Sequence, residues 1–232
     1  LRTPVSSIIG LGHLATLNPV NGESKDLFEK VLQSAHSMDR LLQKLRIISE
    51  INQPGQYSDV EILPVIREIE QTFSTFIDDH RINVAITCGE DVRFHSNRTL
   101  TEAILFYLFE NAIFFSSIEN QGRPEVEFSA RMANGMIEFS VRDNGIGIDE
   151  KIRNNIYDMF YVGYEGSRGN GLGLYIVGKA VQALKGTIAA ESEVNRFTRF
   201  VVTLPADLTA IEPSESASDS LVATDEANDS FT

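Results

Sequence analysis

Two glycine-rich hexapeptides, DNGIGI at 143–148 and GNGLGL at 169–174, constrain this chain more than any other feature. Glycine tolerates positive φ and carries no side chain, so such turns bring the backbone close to a ligand with its N–H groups aimed at phosphate oxygens. The second hexapeptide runs into an apolar helical pattern of Leu172, Leu174, Tyr175, Ile176, Val177, Ala180, Val181 and Leu184. Residues 169–173 therefore fall at a helix N-terminus, where unpaired N–H groups and the positive dipole end favour anions. The first hexapeptide follows an alternating run, 136–141, with Ile137, Phe139 and Val141 on one face. That strand ends in Asp143, an acceptor suited to the amino group of a base. Asn-Gly is also a common turn dipeptide, so either segment alone reads equally well as a surface turn. Both in order, after a helix that carries Asn111, point to a phosphate-bearing ligand. GNGLGL lacks a G-x-G-x-x-G after a first strand and lacks G-K-[ST], which excludes the Rossmann and Walker arrangements.

The segments resemble those of the sensor histidine kinases of two-component signalling, within the ATPase superfamily that includes gyrase, Hsp90 and MutL; the likeness spans residues 1–205. DNGIGI resembles the G1 box, GNGLGL the G2 box, IYDMF at 156–160 the F box, and FENAIFF at 109–115 the N box. LRTP at the start is similar to the end of the H box, and Thr198 and Phe200 to the T-x-F of the last core strand, with Phe197 where a glycine normally stands. The resemblance implies that Asp143 binds the adenine amino group, that Gly145 and Gly147 make room for the base, and that Thr198 supports the contact through water. It implies that Asn111 helps hold Mg²⁺ against the triphosphate of ATP, and that Gly169, Gly171, Leu172 and Gly173 give backbone contacts to the phosphates. Phe160 would pack under a short lid, 161–168.

Two positions depart from the family pattern. Tyr107 stands where the N box usually has a second Asn, and Phe114 where it usually has a Lys or Arg for the phosphates. A charge-assisted contact of that kind is worth about 1.5–3 kcal/mol, and Lys151, Arg153 or Arg168 are candidates to replace it. Read without the family, Tyr107 and Phe114 extend an apolar helix face with Leu105, Leu108 and Phe115. The phosphoacceptor His implied by the resemblance lies two residues before Leu1, so the fragment alone is not expected to autophosphorylate. His13, His36, His80 and His95 lack the H-[ED]-x-x-[TN]-P context. Thr3 falls where the family carries a residue that positions water for dephosphorylating a partner; its plain reading is an N-cap followed by Pro4 at the first helical position.

Behind LRTP, Val5, Ile8, Ile9 and Leu14 have helical spacing, and 17–25 breaks the pattern with Asn, Pro and Gly. A second helix over 26–50 carries Phe28, Val31, Ala35, Met38, Leu42 and Leu45 in a heptad seam. Two copies of this hairpin would close a four-helix bundle, which predicts a homodimer through 1–50; the alternative is a hairpin packed on its own chain. Residues 51–58 read as a linker. The domain over 59–205 reads as strand 60–62, helix 64–79, strands 82–88 and 92–95, helix 99–116, strands 125–132 and 136–142, a short helix 149–158, helix 171–185, and strands 187–192 and 197–204. That order suggests an α/β sandwich, one helix layer on one mixed sheet, with the ligand between them.

The chain of 232 residues has a formal net charge of −13, which argues against a nucleic-acid partner. Seven acidic residues and no Lys or Arg follow Pro205, and 206–232 reads as a disordered, Ser-rich tail. A single Cys, Cys88, fits a reducing compartment. No apolar run reaches the roughly 18 residues that span a bilayer, which leaves room for a membrane anchor or sensor domain upstream. The reading is an α+β chain, a dimerising helical hairpin followed by a Bergerat-type ATP-binding domain. It is expected to act as the cytoplasmic core of a histidine kinase that phosphorylates a His and passes the phosphoryl group to an Asp of a response-regulator receiver domain. A nucleotide-binding pseudokinase is the alternative that Tyr107 and Phe114 favour.

Overall fold

Alternation along the strands decides which face of the sheet meets the helices. The computed structural model describes residues 8, 22–52, 56–118, 122–164, 166 and 171–207. A long helix α1 (Gly22–Ile51) precedes β1 (Tyr57–Glu61), α2 (Ile62–Thr72), α3 (Ser74–His80), β2 (Asn83–Cys88), β3 (Arg93–Asn97) and α4 (Arg98–Ser116). There follow β4 (Glu125–Ala133), β5 (Met136–Asp143), α5 (Gly173–Ala183), β6 (Thr187–Glu193) and β7 (Phe197–Pro205). Five strands form one mixed sheet in the order β2-β4-β5-β7-β6, parallel only between β2 and β4. β1 and β3 pair separately and antiparallel.

One face of the large sheet is apolar, with Val126 and Phe128 from β4, Ile137, Phe139 and Val141 from β5, and Phe200, Val202 and Leu204 from β7 all buried. Residues two apart on a strand share a face, so this face continues at one end into Asp143 and Thr198, which are register partners across β5 and β7. α4 and α5 cover it. α4 is apolar nearly all round and fully buries Ile104, Leu105, Leu108 and Phe109, as expected of a helix packed on several sides. The Asn97 side chain caps α4 by accepting the Leu100 N–H at 3.0 Å. α5 lies beside α4 and buries Ile176, Val177, Ala180 and Val181.

The expected mixed sheet under helices is present, with three local differences. α1 already runs from Gly22 rather than from near 26, taking in residues 22–25 of the expected break. The single helix expected over 64–79 is two, broken at Phe73, whose ring packs 5.3 Å from Phe106 and 6.3 Å from Phe109 of α4. Pro64 is harmless in the first turn of α2 because that turn needs no N–H from it. The short helix expected over 149–158 is instead a chain of turns whose N–H groups reach carbonyls three residues back, as in Ile152 to Asp149 and Asn155 to Ile152. Apart from Ile8, which is helical, the helix expected over 5–16 lies outside the described residues, as do Thr3 and the tail beyond 207.

Phe139 is fully buried and meets Phe94 edge to face at 5.8 Å. Phe139→Ala should therefore lower the unfolding free energy by about 3–5 kcal/mol, read from urea denaturation.

Candidate functional site

Two polar residues closing an otherwise apolar sheet face need a reason. Asp143 and Thr198 are each about one-twentieth exposed, at 4% and 5%, and both line a cavity of about 310 Å³ between the sheet and the helices. Burial pushes the Asp143 carboxyl up to about 7, against smaller lowering effects of the Gly145 N–H and the Arg142 charge. The Gly145 N–H donates to Asp143 Oδ1 at 2.9 Å and fixes the carboxyl within its turn. Asn144 ties that turn to the start of β4, accepting the Glu125 N–H at 2.8 Å and donating to the Arg123 carbonyl at 2.9 Å.

Thr198 is oriented by Ser192, which the sequence did not single out. The Ser192 hydroxyl donates to the Phe197 carbonyl at 2.7 Å and accepts the Ile148 N–H at 2.8 Å. Its one proton is thus committed, so in the 3.2 Å contact with Thr198 Oγ1 the threonine is the donor. Thr198 keeps its lone pairs as acceptors beside Asp143. Ser192 also fastens the 143–148 loop to the β6–β7 hairpin, a tie between residues 44 apart that no local pattern announces.

The glycines form close-fitting walls. A Cβ on Gly145 would lie 2.2 Å from the Phe115 carbonyl oxygen, and one on Gly147, at φ +70°, 2.3 Å from that of Glu193. Gly171, at φ +68°, accepts the Phe160 N–H at 3.0 Å, and a Cβ there would lie 2.4 Å from the Phe160 carbonyl carbon. Leu172 is buried, and Gly173 opens α5 and lines the cavity, so the cavity meets a helix start, whose first N–H groups have no intrahelical partner. Asn111 and Phe115 line it from α4, and Tyr161, Val162, Gly163 and Tyr164 from the segment after the turns.

The structure thus brings Asn111, Asp143, Gly147, Gly171, Gly173 and Thr198 to one cavity, with Gly145 and Leu172 behind its wall. Gly169 and Arg168 lie outside the described residues. Phe160, expected under a lid over 161–168 that is only partly within the described residues, is 62% exposed and sits at φ +65°, and Tyr161 lines the cavity. Of the expected substitute cations, Lys151 does not line the cavity, and Arg153 Nη2 instead donates to the Ser192 carbonyl at 3.1 Å. Tyr107 is buried, its phenol pushed up by burial and then by Glu110. Phe114 meets Phe115 edge to face at 5.2 Å and does not line the cavity. The cavity also admits Glu110, and Lys44 from α1. Among the described residues no group of three His, Cys, Asp or Glu could hold a metal by itself.

Residues 97–208 match the family described as histidine kinase-, DNA gyrase B-, and HSP90-like ATPase. The sensor histidine kinase AtsR of Burkholderia thailandensis is 29% identical over 97% of this chain and 39% of its own length. The signal transduction histidine-protein kinase ArlS of Staphylococcus haemolyticus is 29% identical over 87% of this chain and 46% of its own. The chain thus spans less than half of either relative. Among solved structures, full-length ShkA in complex with AMPPNP superposes with a TM-score of 0.73 at 20% identity, covering 88% of this chain and 43% of that one. Histidine kinase ThkA in complex with the response regulator TrrA gives 0.61 at 19% identity, covering 88% and 58%. These matches bear out the resemblance to sensor histidine kinases, and the solved structures share the fold.

The raised pKa of Asp143 makes the folded chain hold a proton that the unfolded chain releases near 3.8. Its contribution to stability is full below that value and is lost as pH rises through about 7. In urea titrations without ligand, wild type should lose stability relative to Asp143→Asn across this window; a difference constant with pH would contradict it.

Proposed function

We propose, for a chain whose residues 97–208 belong to the histidine kinase-, DNA gyrase B- and HSP90-like ATPase family, that it is the ATP-binding catalytic core of a sensor histidine kinase. The observation that carries this is the buried Asp143–Thr198 pair at the end of an apolar sheet face, in a cavity that Gly147, Gly171 and Gly173 also line. An adenine has an apolar face for such a slot and an amino group that donates to a carboxylate. Gly145 and Gly147 flank the base, and Gly171, Leu172 and Gly173 offer helix-start N–H groups to the phosphates. Gly169 and Thr3 keep the roles the resemblance implies.

Mg²⁺ fits this site as a partner of the triphosphate rather than of a protein cage, because Asn111 supplies one hard oxygen and water and phosphate supply the rest. When bound it neutralises charge on the transferring group. The protein's own residues hold the nucleotide in line and keep water from the base end. A neutral imidazole nitrogen of a His forms the N–P bond as the bond from the γ-phosphorus to the bridging oxygen breaks and ADP leaves. The phosphoryl group then passes to an Asp of a response-regulator receiver domain.

Residues 1–50 act as the dimerisation unit, 51–58 as the linker and 59–205 as the catalytic domain, with 206–232 a solvated tail. Exposure of Val31, Met38 and Leu45 on α1, at 42%, 51% and 54%, supports a homodimer built on that seam. ATP as substrate puts the unit on the cytoplasmic side of any upstream anchor; no described helix is long and apolar enough to cross a membrane. A pseudokinase that binds nucleotide without transfer is the second reading, favoured by Tyr107 and by Phe114 lying outside the cavity.

The test is incubation of the chain, extended upstream through its H box, with labelled ATP and Mg²⁺. Acid-labile, alkali-stable label on the protein is expected. Nucleotide binding with no label on protein would favour the pseudokinase, and free phosphate alone would favour an ATPase.

A further inference from the structure

α4 sets a scale along the cavity. Phe115, whose carbonyl stacks against Gly145, and Tyr107 are eight residues apart, about 12 Å of helix, with Asn111 midway. Tyr107 packs against the other glycine wall: a Cβ on Gly173, the first residue of α5, would lie 3.6 Å from its ring. Over that same ring stands Lys44 of α1, its Nζ 5.2 Å from the ring centre. α1 packs against both α4 and α5. The ammonium therefore stands over the Tyr107 end of α4, beside the start of α5 and two helical turns from the Phe115 end.

The charges around it are unfavourable for a polyanion. Glu110, Asp143 and Asp149 line the cavity, and Lys44 is the one Lys or Arg that does so among the described residues. Residue 114, the N-box position expected to be basic, is a phenylalanine that does not line the cavity.

We propose that Lys44 binds the triphosphate, so that a helix outside the ATP-binding domain supplies the cation that position 114 lacks; this rests on the nucleotide reading above. The phosphates then hold α1 against α4 and α5, and nucleotide occupancy is coupled to the placement of the helix that carries the dimer seam. The Tyr107 ring serves as the platform that keeps the ammonium at the phosphate end, which gives that departure from the N-box pattern a purpose.

The experiment is calorimetric titration of the full chain with Mg·ATP and, separately, with adenosine. Lys44→Ala should weaken ATP roughly ten-fold or more, as expected for loss of a charge-assisted contact, and leave adenosine within about two-fold. Lys44→Arg should recover most of the ATP affinity. ATP affinity unchanged in Lys44→Ala, or an equal loss for adenosine, would overturn the role of Lys44 while leaving the nucleotide site standing. A wild-type chain that binds neither ligand would overturn the nucleotide reading, and this inference with it.

Discussion

Asp143 lies on the same side of β5 as Ile137, Phe139 and Val141, so the alternation that builds the core also drives a carboxyl into it. Burying that group is costly, and the chain meets the cost only in part, with one backbone N–H at 2.9 Å from Gly145. The carboxyl responds by holding its proton to about 7. The surroundings are arranged around it: Asn144 anchors the turn, Ser192 aims Thr198, and Gly145, Gly147 and Gly171 let the turns pack directly on neighbouring backbone. A ligand that donates to Asp143 completes what the protein alone leaves unfinished.

The two ends of the cavity solve different problems. At the base end the walls are apolar and tight, and specificity rests on two polar atoms. At the other end charge is the difficulty, because Glu110, next to Asn111 on α4, adds to the repulsion of a polyanion. In the proposed reading, helix-start N–H groups, a Mg²⁺ held mainly by phosphate, and the Lys44 ammonium each offset part of it. Assigning the last of these to α1 ties the binding site to a helix with an exposed apolar seam of Val31, Met38 and Leu45.

Much of this was legible because it is local. The alternation of 136–141 gave β5 and the facing of Asp143, and the periodicity after 171 gave α5 with Gly173 at its start. What escaped depends on distance along the chain. Ser192 meets Ile148 across 44 residues, and Lys44 reaches Tyr107 from another part of the molecule, so neither leaves a spacing to read. The break at Phe73 was hidden because an aromatic in a helical pattern looks the same whether it continues the helix or leaves it to pack on Phe106 and Phe109. The turns over 150–158 share the three-residue bonding of a helix edge, and sequence spacing does not separate the two.

The central claim is that the cavity between α4, α5 and the ends of β5 and β7 holds ATP with its base on Asp143. A crystal structure of the chain with Mg²⁺ and a non-hydrolysable ATP analogue tests it most directly. The account predicts the adenine amino group within hydrogen-bonding distance of the Asp143 carboxylate and the phosphates beside Gly171, Gly173 and Lys44. A base bound elsewhere, or reversed with its phosphates toward Thr198, would contradict it.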